Sequence, residues 1–577
     1  MSTCAIAPAV ECQDLVELLR VRAAEQHYLI AFEYLISANE VTPLTYGELD
    51  QRARAIAALL QEHDAEGERV LLLYPPGLDF IAGFFGCLYA GAVAVPTFPP
   101  RFNSNLQRLK GIIDDASLTI ALTTDNIFSG LKSLLDREPE LSSVNWLLSS
   151  DSLGLEDEWR EFNATDETLA LLQYTSGSTS EPKGVMLTHG NLMHNSARIC
   201  EAFECSVEGI GVSWLPPYHD MGLIGGVLQP IFVGGTTILM SPLTFLQRPI
   251  RWLEAISRYS LGREFVVSGG PNFAFDMCVN RVLPDQRRRL NLSKWKVAFT
   301  GAEPIRSDTL SRFAESFASC GFEYSAFYPC YGLAESTLMV SGGLRKEPPI
   351  TVSVQRSKLD QHEAVNLVSR DQTYNLTSCG RNMPDQDLRI VDPETFVECA
   401  EGEVGEIWVS SASVARGYWN RPEETEKCFD ARIAGTDEGP FLRTGDLGFL
   451  LLGELCVTGR LKDLIIIDGR NHYPQDLERT IEQCHSALRA NCCAAFSVNV
   501  DGQEQLCISA ELNVAPSDQL TPAITKAIQI ALAEAHDLRA YKINLLRKGD
   551  LPKTSSGKLQ RHRCRAEFTF ALPVSTL

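Results

Sequence analysis

The sequence predicts a layered α/β chain built from several subdomains, on three observations. First, 577 residues exceed what a single hydrophobic core ordinarily serves, so several packed units are expected. Second, helix and strand signals alternate from the early part of the chain through its middle, as a layered α/β domain requires. Third, residues 387–391 and 405–409 carry strand patterning that marks a more β-rich subdomain. The alternation opens with Thr45 and Glu48 at capping-box spacing, followed by Leu49, Ala53, Ile56, Ala57 and Leu60 as the apolar face of a helix. Residues 70–73 then read as a buried strand. Residues 80–100 are uncharged, which raises the question of a membrane span. Gly83, Gly86, Gly91 and Pro96 interrupt the run, and it divides into a helical face (Ile81, Phe84, Phe85, Leu88) and a strand over residues 92–95. A buried helix–turn–strand unit is therefore expected. No internal repeat or low-complexity tract interrupts the pattern.

Composition narrows the function. Lys and Arg total 52 against 73 for Asp and Glu, a formal net charge of -21, which argues against a protein whose main work is gripping nucleic acid or an anionic membrane. The 17 cysteines are scattered, without a C-x-x-C pair or zinc spacing, so neither a disulfide framework nor a structural metal is expected. Residues 1–13 lack a basic segment followed by an apolar core. A cytoplasmic protein without integral membrane association is the resulting expectation.

The strongest local signal is YTSGSTSEPKG at residues 174–184. In Thr175, Ser176, Gly177, Ser178 and Thr179, small hydroxyl residues and a glycine let backbone N–H and side-chain O–H groups converge on phosphate oxygens, and Lys183 would add a positive charge. The stretch is not the G-x-x-x-x-G-K-[ST] loop, because Pro182 stands where the second glycine belongs and Gly184 replaces the magnesium-binding hydroxyl. Residues 185–187 also read as a strand, whereas that loop opens a helix. Taken alone, such a stretch is a solvated turn more often than a phosphate site.

Five further segments accompany it: GAE at 301–303, YGLAEST at 331–337, RTGDLG at 443–448, GRLKD at 459–463 and PKTSSGK at 552–558. Together and in this order the six resemble the signatures of the adenylate-forming superfamily of acyl-CoA synthetases, luciferases and peptide-synthetase adenylation domains. The resemblance implies a large N-terminal domain over residues 1–460 and a small, mobile α+β domain over 461–577, with ATP and Mg²⁺ as cofactors. It implies that Lys558 reaches the reacting carboxylate and α-phosphate, and that Glu335 is the catalytic carboxylate linked to magnesium. Tyr331 corresponds to the adenine-stacking aromatic, with Gly332 beside it and Gly301, Ala302 and Glu303 lining the base. Asp446 corresponds to the acceptor for the ribose hydroxyls, Arg460 to a nearby ribose or phosphate contact, and Lys462 to the hinge. The chemistry fits these types, since joining a carboxylate to an α-phosphate brings two anions together and depends on positioning and charge neutralisation.

A narrower set, WLPPYHDMGLIGG at 214–226, SGGPNFAFDMCVNR at 268–281, YPCYGLAESTL at 328–338 and GRNHYPQDLE at 469–478, resembles the fatty acyl-AMP ligases. These activate fatty acids and pass them to an acyl carrier protein, or to a carrier domain of a polyketide or peptide synthase. The resemblance implies acyl or carboxylate contacts from His219, Asp220, Met221 and Gly270. Residues 344–377 resemble that family's insertion, which restrains the C-terminal domain and disfavours coenzyme A. Arg539, Lys542, Arg547, Lys548, Arg561, Arg563 and Arg565 form either a docking surface for an acidic carrier protein or a solubilising face. Two alternatives stand beside this reading: a medium- or long-chain acyl-CoA synthetase, and a non-catalytic module that binds a nucleotide or acyl-adenylate.

Overall fold

A computed structural model describes residues 12–37, 40–100, 106–135, 138–175, 182–355, 373–436, 438–467, 470–500, 503–517, 520–554 and 559–570. Thr45 and Glu48 close the expected capping box: the Glu48 N–H donates to Thr45 Oγ1 at 3.2 Å and the Thr45 N–H to Glu48 Oε2 at 2.8 Å. They open helix Tyr46–Glu62, whose Leu49, Ala53, Ile56, Ala57 and Leu60 are all buried. The uncharged run forms helix Leu78–Tyr89 and strand Val93–Thr97. That helix is buried on nearly every side instead of along one face, because it lies in the layer between two sheets. A Cβ added at Gly86 would stand 2.4 Å from Ile56 Cγ2, so the glycine lets the two helices cross at close range.

Among the described residues, a six-stranded sheet runs in the spatial order Asn145–Leu148, Ile120–Thr123, Arg69–Leu73, Val93–Thr97, Leu169–Thr175, Lys183–Thr188, parallel except for its last pair. A nine-stranded sheet has the parallel centre Phe327–Gly332, Trp295–Thr300, Val266–Gly269, Ile210–Ser213, Thr236–Met240, Ile30–Leu35, with antiparallel strands at both margins. One buried cluster joins Val70, Leu72 and Leu171 of the first sheet to Phe32 and Val297 of the second through Ile56, Phe84 and Leu192 of the intervening helices. Ligands in such open sheets bind beyond the carboxyl ends of the strands. The loops after Thr175, Ser213 and Thr300 leave from those ends.

The expected β-rich subdomain is a four-stranded antiparallel sheet, Gln386–Val391, Gly405–Ser411, Leu442–Leu451 and Glu454–Arg460. A turn at Leu461–Asp463 leads from it into an α+β unit with helices Pro474–Cys484, Leu520–His536 and Arg561–Phe570 and the sheet Leu488–Val500, Gln503–Leu512, Lys542–Leu546. Leu477, Ile481, Leu506, Ile508, Ile524 and Leu532 give this unit a core of its own. Within residues 344–377 the described part includes an antiparallel strand pair, Thr351–Gln355 with Thr373–Thr377. Its Val352 and Val354 share a cluster with Leu447, Phe449 and Cys456 of the β-rich sheet and Tyr473 beyond the turn, against which Leu461 and Leu464 also pack. No described helix is long and apolar enough to cross a membrane, and no disulfide joins the described cysteines.

Gly86→Val should force the helix crossing apart and destabilise the N-terminal layers by about 1–3 kcal/mol. A lower midpoint for the first unfolding transition is the expected readout in a thermal melt; an unchanged midpoint would mean that Ile56 moves aside freely.

Candidate active site

A single cavity of ≈ 1090 Å³ opens at the carboxyl ends of the parallel strands and reaches the β-rich subdomain and the C-terminal unit. Of the residues singled out from sequence, Thr175, Lys183, His219, Asp220, Met221, Gly301, Ala302, Glu303, Tyr331, Gly332, Glu335, Asp446, Arg460 and Lys462 all line it. Ser176, Gly177, Ser178, Thr179 and Lys558 lie outside the described residues. Gly270 departs from expectation. It is buried behind Trp214, where an added Cβ would stand 2.7 Å from the indole Cζ2, and it takes no part in the cavity wall.

Strand pairing creates the floor of the site. Asp446 and Arg460 face each other in register on neighbouring antiparallel strands, with Arg460 Nε 3.1 Å from Asp446 Oδ1. The Tyr331 hydroxyl, at the end of its parallel strand, donates to Asp446 Oδ2 at 2.8 Å. Asp446 is only 6% exposed, yet each carboxylate oxygen offers about two lone pairs, so it retains acceptor capacity. Burial first, and the Asp446 charge next, push the Tyr331 phenol well above its ordinary pKa, which keeps it a donor. Its ring packs in a cluster with Val340, Ile390 and Ile407 while also lining the cavity.

Glu335 stands on the turn Ala334–Ser336. Its Oε1 accepts from the Tyr418 hydroxyl at 3.0 Å, and its backbone carbonyl accepts from the Ala415 N–H at 2.9 Å. The described residues contain no group of three or more His, Cys, Asp or Glu arranged around a common metal position. Glu335, a carboxylate on the cavity wall, is the kind of ligand Mg²⁺ uses together with phosphate oxygens and water. Lys183 lines the cavity, but its ammonium pairs with Glu424 and lies 5.2 Å from the Tyr418 ring centroid. The hydrogen bond from Lys183 is the main cause of the lowered Glu424 pKa, so the charge expected to face phosphate is already offset. Glu303 is also engaged: its Oε1 accepts from the Phe273 N–H at 2.6 Å, at the start of helix Asn272–Arg281. His219 Nδ1 lies 2.5 Å from Asp220 Oδ1. That same oxygen accepts from the Met221 N–H at 2.6 Å and opens the wide π-helix Met221–Leu228.

The C-terminal unit closes the other side. Thr554 and Leu559, which bracket the segment ending in Lys558, line the cavity, and Lys553 pairs with Leu559 through a backbone bridge. Lys553 Nζ donates to the Asn491 carbonyl at 2.6 Å. Arg561 is not part of an exposed basic patch. Its guanidinium donates to both Glu478 carboxylate oxygens at 2.7 Å and to Asp463 Oδ2 at 3.2 Å, tying the last helix to the turn after Arg460. Two ion pairs cross to the N-terminal part: Arg479 to Asp308 at 3.4 Å and Arg306 to Glu482 at 3.8 Å. Lys462 is exposed overall but crowded by the cleft, and that desolvation, followed by Arg460, lowers its pKa.

The sequence reading did not identify the channel that leaves this site. The cavity runs on between the nine-stranded sheet and the helices packed on it, lined by Gly211, Val267, Phe299, Phe203, Gly225 and Gly226. The only signal for it was the Gly225–Gly226 pair inside a segment quoted for its resemblance.

Residues 19–419 match the family described as AMP-binding enzyme, and residues 462–572 match one described as Disco-interacting protein 2-like, AMP domain. The chain is 44% identical over 570 residues to the medium-chain fatty acid (acyl-carrier-protein) ligase JamA of Moorena producens, covering 97% of this chain and 95% of that one. It is 37% identical over 576 residues to the putative fatty-acid–CoA ligase FadD21 of Mycobacterium tuberculosis, covering 96% and 98%. A fatty acyl-adenylate ligase of L. pneumophila, solved with acyl adenylate and pyrophosphate, superposes with a TM-score of 0.77 at 40% identity, covering 99% and 98%.

Glu482 allows a test of the contact between the two parts. Burial raises its pKa from 4.5 to about 7, with Arg306 opposing the rise. The folded arrangement therefore holds a proton that the solvated carboxyl would release. Its contribution to stability is present below about pH 4.5 and is lost as pH rises through about 7. Melting temperatures should fall across that window in the native chain and fall less in Glu482→Gln; parallel profiles would mean that the carboxyl is solvated.

Proposed function

The chain belongs to the AMP-binding enzyme family, and on that premise we propose that it joins a fatty acid to AMP, releases pyrophosphate from ATP, and passes the acyl group to the phosphopantetheine thiol of an acyl carrier protein. One observation carries the reading. A single cavity unites a polar end, bearing Asp446, Glu335 and the flanks of the Lys558 segment, with an apolar channel suited to a hydrocarbon chain. A carboxylic acid seated in the channel presents its carboxylate where the polar end would hold the α-phosphate.

In the reaction a carboxylate oxygen bonds to the α-phosphorus as the bond to pyrophosphate breaks. Both partners are anions, so the chain's work is to orient them and offset their charge. Asp446, paired with Arg460 and fixed by Tyr331, would accept the ribose hydroxyls, and the Tyr331 ring would form the wall against the base. Glu335, oriented by Tyr418, would hold Mg²⁺, which when bound supplies positive charge at the phosphate oxygens. Lys558 would bring its ammonium to the carboxylate and α-phosphate. A Lys462 hinge would let residues 461–577 turn away for the transfer step, and their closure would keep water from the mixed anhydride.

The carrier-protein acceptor draws on the relative JamA, named as an acyl-carrier-protein ligase. It also draws on the strand pair within residues 344–377, which packs against both sides of the hinge and would resist a large rotation. Coenzyme A as acceptor is the second reading, favoured by the name of the relative FadD21.

With ATP and a mixture of fatty acids, mass spectrometry should detect acyl-AMP. Lys558→Ala should lower its formation by about 10²–10³ while ATP binding, measured by calorimetry, stays largely intact. Undiminished synthesis would remove Lys558 from the mechanism. Offered both acceptors, the enzyme should load the carrier protein; rapid acyl-CoA formation with no carrier loading would establish the second reading.

A further inference from the structure

The channel runs the length of the parallel strands. Their carboxyl ends face the polar site, whereas Cys205 and Ser206 precede strand Ile210–Ser213, Gly235 precedes strand Thr236–Met240, and Phe265 precedes strand Val266–Gly269. All four residues line the same cavity. At about 3.3 Å per residue, the strand Ile210–Ser213 separates the two ends by roughly 10 Å. Gly211 lets its strand lie close against the Thr237 side chain, where an added Cβ would stand 2.3 Å from Thr237 Oγ1. The far end is firmly backed: the Arg345 guanidinium carbon lies 4.3 Å from the Phe265 ring centroid, and Arg345 donates to the Glu204 carbonyl at 2.9 Å and to its carboxylate at 3.1 Å.

The far end is lined by the apolar Phe203, Val233 and Phe265, but two polar side chains stand among them. Gln229, the first residue of helix Gln229–Val233, lines the cavity and is 7% exposed. Its Nε2 donates to the Ser196 carbonyl at 3.2 Å. Because a carbonyl oxygen only accepts, this bond fixes which amide atom is nitrogen. Oε1 is then left buried and without a hydrogen-bond partner among the described residues, and Ser206 Oγ is in the same condition. The two belong to one end of the channel, since the Gln229 amide also hydrogen-bonds the thiol of Cys205, the residue before Ser206, while Oε1 stays without a partner among the described residues. Buried polar atoms are ordinarily satisfied, and a bare methyl terminus would satisfy neither.

We propose that Gln229 and Ser206 form a tail subsite that takes a hydroxyl carried at or near the far end of the acyl chain, the hydroxyl donating to Gln229 Oε1 and accepting from Ser206 Oγ. The inference deepens the fatty-acid reading of this cavity and rests on it.

The test uses the full chain, ATP and a length series of saturated acids paired with their ω- and (ω−1)-hydroxy counterparts, with acyl-AMP formation as the readout. At the best-accepted length the hydroxy acid should be preferred by about tenfold in kcat/KM, the value of one well-made hydrogen bond. Gln229→Leu should bring that ratio towards one. Should loss of the Ser196 bond prevent that variant from folding, Ser206→Ala carries the same expectation. Equal or better use of plain acids at every length, or a ratio that neither variant moves, would mean that water alone occupies the subsite and would overturn the proposal. Failure of both acid classes to form adenylate would instead overturn the underlying fatty-acid reading.

Discussion

A carboxylate buried where three parts of the chain meet must be paired, since an uncompensated charge there would cost several kcal/mol. Asp446 is that carboxylate. Tyr331 approaches it from the central parallel sheet and Arg460 from the neighbouring β-rich strand, so the demand for pairing fixes how the two subdomains meet. Arg460 is also the last residue before the turn Leu461–Asp463, and Asp463 on that turn is held by Arg561 of the last helix. One series of charged contacts therefore runs from the floor of the cavity to the start of the C-terminal helix. The Arg479–Asp308 pair then joins the C-terminal unit to the N-terminal part in the arrangement seen here.

Sheet geometry supplies what charge pairing cannot. Parallel strands deliver their loops to a common edge, which is why residues as distant in sequence as Thr175, His219, Gly301 and Tyr331 line one cavity. Behind that edge, Gly211 on a strand and Gly225 and Gly226 in the π-helix line the cavity. The strand pair within residues 344–377 spans the β-rich sheet and Tyr473 with a few apolar contacts, a modest attachment placed where it bears on rotation at the turn.

Much of this was legible in the sequence because the signals were local. The capping box at Thr45, the strand at residues 70–73 and the two β-rich strands depend on spacing within one element, and all appear with nearly the expected bounds. The residues that line the cavity together were legible only as motif resemblance, since nothing in the local pattern of YGLAEST says that Tyr331 will meet Asp446, 115 positions away. What remained hidden was pairing across long separations. Neither the Lys183–Glu424 contact nor the capture of Arg561 by Glu478 and Asp463 leaves a mark in spacing or composition. Gly270 sat in a well-matched segment, yet its exposure depended on where the Trp214 indole came to rest. Gln229 reads in sequence as an ordinary polar residue beside an apolar run, and only the channel reveals its unmet acceptor.

The pairing of Lys183 with Glu424 beneath the Tyr418 ring bears on discrimination. A lone phosphate ion reaching that wall meets an ammonium whose charge has been cancelled, and gains little by displacing a carboxylate that is already in place. The nucleoside triphosphate of the proposed reaction would anchor elsewhere by its base and sugar, so that its phosphates could compete for the lysine. Under the proposed function, the internal counter-ion would favour a ligand recognised at its other end over a small free anion.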